Sequence, residues 1–125
     1  MDFAQASHLM AIEKHMVSRE IAWKATPRGL PFQKHRSALI YLEEVMEGVF
    51  VELQYEPKLI GSLSPKVSFS MIADGLRLIG IDAGGRKAHF NRSGIGMPYY
   101  RKRVPQPQLN FPAPDAVTGY CEPAK

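Results

Sequence analysis

The residues best suited to chemistry lie in one stretch of the chain. Arg86, Lys87, Arg92, Arg101, Lys102 and Arg103 supply six cations, and His89, Tyr99 and Tyr100 lie among them. No Asp or Glu occurs between Asp82 and Asp115. Cations interleaved with aromatic rings suit single-stranded nucleic acid: the cations neutralise phosphates, and ring faces stack on unpaired bases at about 1–3 kcal/mol each. The wider charge balance points the same way. The 125 residues carry sixteen Lys and Arg against twelve Asp and Glu, a net charge of +4. Residues 1–82 hold nine basic and ten acidic groups, whereas residues 83–125 hold seven basic and two acidic. Unopposed cations concentrate anions at a surface, so this asymmetry speaks to partners and not to fold.

His89 adds a catalytic alternative. A metal-independent nuclease needs a base for the 2′-hydroxyl, an acid for the leaving oxygen and cations for the phosphorane charge. His89, with Tyr99 or Tyr100 and Arg92 or Arg101, supplies those residue types. A nuclease of the small toxin kind is therefore the first rival to a pure binding role.

Other candidates carry less. Ala83-Gly84-Gly85-Arg86-Lys87 lacks the patterns of phosphate-cradling loops and reads as a hairpin turn. His8 and His15 stand seven apart on an expected helix, roughly 10 Å along its axis, too far to share a metal. His35 falls in an expected loop. No metal or cofactor is expected. Glu43, Glu44 and Glu47, and Glu52 and Glu56 on one strand face, read as solvated acidic surface. Cys121 is the single cysteine, which excludes an internal disulfide and suits a reducing compartment.

The elements that must position these residues follow from periodicity. Phe3, Ala6, Leu9, Met10, Ile12, Met16 and Val17 fall on one arc at helical spacing, so residues 2–19 read as an amphipathic helix capped by Asp2. Residues 21–25 read as a short strand, ended by a Pro- and Gly-bearing break at 26–31. Val49 to Glu56, Lys66 to Ala73 and Leu76 to Ile81 alternate as half-buried strands, the last two joined by Asp74-Gly75, a hairpin signal. Residues 37–47 allow two readings: a helix capped by Ser37 and ended by Gly48, or an inner strand to Leu42 followed by a turn; the aliphatic run, and three glutamates that would oppose a helix dipole, favour the strand. Residues 88–91 read as a short returning strand. Six of the ten prolines fall from Pro98 onward, which predicts an extended C-terminal arm.

The expected architecture is α+β: the N-terminal helix packed on an antiparallel sheet of four to six strands. A domain over 1–104 would carry a docked, Pro-rich arm over 105–125. The apolar runs are far shorter than a bilayer span, and the opening residues lack a signal peptide's basic and apolar regions, so a cytoplasmic location is expected. The leading function is a binding module that grips RNA or single-stranded DNA through 86–103. The second rival is a protein-interaction subunit, or a homo-oligomer, using the arm or an exposed sheet edge.

Overall fold

Strand alternation dominates the fold. The computed structural model describes residues 1–17, 20–25, 33–56, 65–85 and 88–124. Among these are one helix, α1 (Phe3–Ala11), and the strands β1 (His15–Met16), β2 (Lys24–Ala25), β3 (Gln33–Tyr41), β4 (Glu44–Glu56), β5 (Lys66–Ala73), β6 (Leu76–Ala83), β7 (His89–Phe90), β8 (Arg103–Val104), β9 (Gln108–Asn110) and β10 (Cys121–Pro123). Eight strands form one antiparallel sheet, more than the alternation predicts. Its path is β1-β3-β4-β5-β6-β9-β10, and β2 joins by pairing with β3. β7 and β8 form a separate two-stranded ribbon.

The meander β3–β6 agrees with the sequence pattern, including the strand that ends at Tyr41. Its first and third turns are two-residue loops: Tyr41 pairs with Glu44 and Ala73 with Leu76. Both central residues have positive φ in each, Leu42 (50°) and Glu43 (67°), then Asp74 (51°) and Gly75 (77°). That geometry matches the right-handed twist of the flanking strands. Asp74-Gly75 adopts it readily; Leu42 and Glu43 are held there by the register of the long strands on either side.

The helix is shorter than its apolar arc suggests. Asp2 and Gln5 form a reciprocal capping box at its start. At its end, Lys14 Nζ donates to the carbonyls of Leu9, Met10 and Ile12, and Ile12 is already extended. His15 and Met16 then pair with Ile40 and Leu39. The backbone groups on the outer side of β3 need partners, and satisfying them outweighs the helical period of Met16 and Val17. His35 is also relocated: it lies in β3, buried, with its Nδ1 3.1 Å from the Ala22 N–H that donates to it.

One sheet face is apolar. Leu39, Val49, Val51, Met71, Ala73 and Leu78 are buried together with Ala6 of α1, and Leu9, Met10 and Phe69 pack against them. In the C-terminal third, Gly80 pairs with Asn110 and Asn110 with Cys121, so β9 and β10 extend the sheet beyond β6. Val104, Ala113, Tyr120 and Cys121 are buried there. No helix among the described residues is long and apolar enough to cross a membrane.

Candidate nucleic-acid interface

The ribbon is built by pairing His89 with Val104 and Phe90 with Arg103. Beyond it the chain closes a loop. Asn91 N–H donates to the Lys102 carbonyl and Arg101 N–H to the Asn91 carbonyl, both at 3.0 Å. These bonds bring Arg92 beside Arg101, although nine positions separate them in sequence. Tyr100 N–H donates to Met97 and Lys102 N–H to Tyr99, which tightens the returning limb. Arg101 sits at φ 57°, a left-handed conformation that side chains adopt at a cost of roughly 1–2 kcal/mol.

The loop is fastened almost entirely by residues far downstream. Asn91, fully buried, donates from Nδ2 to the carbonyls of Tyr99 (2.9 Å) and Cys121 (2.8 Å), while its Oδ1 accepts from Cys121 N–H (3.0 Å). Tyr99 N–H donates to the Tyr120 hydroxyl, which itself donates to Glu122 at 2.8 Å. The Tyr120 ring packs edge-on to Phe111 and lies against Gly94, where an added Cβ would fall 2.2 Å from a ring carbon. Burial, then the neighbouring Glu122, pushes the Tyr120 hydroxyl up to about 12. The Asp115 carboxylate accepts from Gly94 N–H and Ile95 N–H at 2.9–3.2 Å, an anion in a small nest of backbone donors.

His89 belongs to the same fastening. Its Nε2 lies 2.8 Å from the Gly119 carbonyl. A carbonyl oxygen only accepts, so Nε2 carries the proton and donates it there. No hydrogen bond joins His89 to Arg92, Tyr99, Tyr100 or Arg101.

Arg92, Arg101, Lys102 and Arg103 are all exposed, and none of them pairs with a carboxylate among the described residues. Tyr99 and Tyr100 are half-buried, and each ring carries one of these cations: Lys102 Nζ lies 5.9 Å from the Tyr99 centroid and Arg101 Cζ 5.4 Å from that of Tyr100. Arg86 and Lys87, like the break at 26–31, lie outside the described residues.

Two carboxylates, Glu52 and Asp82, are engaged by arginines of the sheet. On the polar face of the sheet, Arg36, Glu52, Ser70, Gly80 and Asn110 form one cross-strand row, and Gln54, Ser68 and Asp82 lie in the next. Glu52, expected on a solvated face, is buried. Arg36 donates to it through Nε and Nη2 (3.0 and 2.7 Å), and Gln54 Nε2 donates at 2.7 Å. Arg77 donates to both oxygens of Asp82 (3.0 and 2.9 Å), and its guanidinium lies flat over Gly80, where any Cβ would collide with it. Ser68 and Asn110 complete the Asp82 shell at 3.0 and 3.1 Å. Each acid here has its own arginine. Glu43, Glu44 and Glu47 are exposed along the β3–β4 hairpin and form no ion pair among the described residues.

Sequence reasoning reads Tyr120 only as an apolar anchor of the arm and misses the hydrogen-bonding roles of Asn91, Asp115 and Tyr120, which depend on partners 8 to 30 residues away. The available signal was glycine: Gly94, Gly96 and Gly119 all have positive φ and mark the turns these side chains hold. No group of three or more His, Cys, Asp or Glu able to hold a metal occurs among the described residues. No protein-family model, curated protein or solved structure matches this chain, so its function is read from the site's own geometry.

Proposed function

We propose that this protein is a small binding module that grips RNA or single-stranded DNA through the basic 86–103 segment. One observation carries the reading: Arg92, Arg101, Lys102 and Arg103 are gathered on one ribbon and its closed loop, exposed and paired with no carboxylate among the described residues. Cations so arranged cost nothing to expose and are free to replace the counterions of a phosphate backbone. The Pro-rich residues 105–125 act as a docked arm that braces this loop. What supports that role is the run of bonds from Asp115, Gly119, Tyr120 and Cys121 to residues 89–99. A buried lone cysteine suits a reducing, cytoplasmic setting.

Binding is favoured over the nuclease alternative because the His89 Nε2 proton is committed to the Gly119 carbonyl and no second acid–base group bonds to the ring. The test is fluorescence anisotropy with labelled RNA and DNA oligonucleotides at low and high salt. The reading predicts binding that weakens steeply as salt rises. No binding at low salt, or binding indifferent to salt, overturns it; cleavage of the RNA that His89→Ala abolishes would favour the nuclease instead.

A further inference from the structure

Resting on that reading, we propose that Phe90 is the base-stacking platform of the ribbon, so that the partner is a strand offering at least one unpaired base. Tyr99 and Tyr100 are the rings that composition singles out. Both are half-buried and already covered by Lys102 and Arg101, so a base approaching either has to displace a cation first.

Phe90 differs in each respect. It is 41% exposed and makes no ring or cation contact among the described residues. It pairs directly with Arg103, so the ring and that side chain stand on the same face of the ribbon. Its neighbours on both sides are anchored, His89 to Gly119 and Asn91 to Tyr99 and Cys121. The backbone that carries the ring is thus held in place before a ligand arrives, and less backbone ordering entropy is lost on binding. A base laid on Phe90 leaves its backbone phosphate within the field of Arg103 and, around the loop closure, Arg92 and Arg101. Base-paired duplex has its ring faces already stacked inside the helix and has no such face to offer.

The experiment compares oligo(U), oligo(dT) and a blunt DNA duplex of equal length at matched salt, using wild type, Phe90→Ala and Phe90→Trp. Wild type should prefer the single strands, and the tighter of the two identifies the strand chemistry. Phe90→Ala should lose about 5- to 150-fold in single-strand affinity, the stacking energy of one base, with its salt dependence and thermal melt unchanged. Phe90→Trp, placed in a Trp23→Phe background, should keep the affinity, and the new indole should be quenched at saturation. If wild type binds but Phe90→Ala binds equally well, or wild type prefers the duplex, the platform is wrong while the binding reading survives. If wild type binds no strand at low salt, both fall together.

Discussion

Asn91 pairs with both backbone polar groups of Cys121, donating to its carbonyl at 2.8 Å and accepting from its N–H at 3.0 Å. One side-chain amide thereby does for the outer side of β10 what another strand would do, and ties the basic loop to the sheet. Asn91→Ala leaves the buried N–H and carbonyl of Cys121 without partners, while the Tyr99 carbonyl keeps only its bond from Lys102 N–H. We expect a loss of about 2–4 kcal/mol in urea unfolding. Asn91→Asp should be worse at neutral pH, because a carboxylate would face two carbonyl oxygens, and should recover partly on acidification as that group protonates.

Cys121 provides a spectroscopic check on the same region. The thiol is fully buried, and burial, reinforced by the negative charges of Asp82 and Glu122, pushes it up to about 11. The thiolate is the reactive form. Wild type should resist a disulfide reagent at pH 8 until unfolded by denaturant, and Asn91→Ala should react measurably faster.

Acid sensitivity should reside on the polar sheet face. Burial alone would raise the carboxyls of Asp82 and Glu52, but bonds and charge from Arg77 and Arg36, with help from Ser68, Asn110 and Gln54, outweigh it and hold both below their ordinary values. An acid with a depressed folded pKa adds stability above its unfolded value, near 4, and loses it as pH falls through the lower folded value. Stability should therefore decline below about pH 4. Asp82→Asn should flatten that decline while costing about 1–3 kcal/mol at pH 7, read from chemical denaturation across pH.

At Arg101, stability and function should part. The residue occupies φ 57°, where glycine is at ease and a side chain is strained. Arg101→Gly is expected to leave the melting temperature unchanged or raise it, while weakening oligonucleotide binding. A parallel fall in both would mean that the side chain serves the fold.

The sequence made the centre of the molecule legible and left its flanks obscure, for physical reasons. β4, β5 and β6 alternate cleanly because one face packs on Leu39 and Ala6 and the other carries polar rows. Asp74-Gly75 names its own turn. The end of α1 was not legible, since Met16 and Val17 satisfy a helical period and a strand equally well, and only the needs of the β3 backbone decide between them. The strands β8, β9 and β10 were hidden by prolines, because each is two or three residues long and lies between prolines or, in β10, ends on one. Glu52 looked solvated because alternation reports which face a residue takes, and cannot report that Arg36 and Gln54 cover it there. Within the site, the cations were legible from charge alone. The bonding roles of Asn91, Asp115 and Tyr120 were not, because hydrogen bonds between distant segments leave no periodic trace.

The central claim, that the ribbon cations meet phosphates, is tested most directly by the slope of log affinity against log salt for a single-stranded oligonucleotide. With four to six phosphate contacts the slope should lie near −3 to −4 for wild type. Replacing Arg101, Lys102 and Arg103 together by Gln should bring it close to −1 or −2, with the fold intact by circular dichroism. A wild-type slope near zero, or one that the triple replacement leaves untouched, would contradict the account.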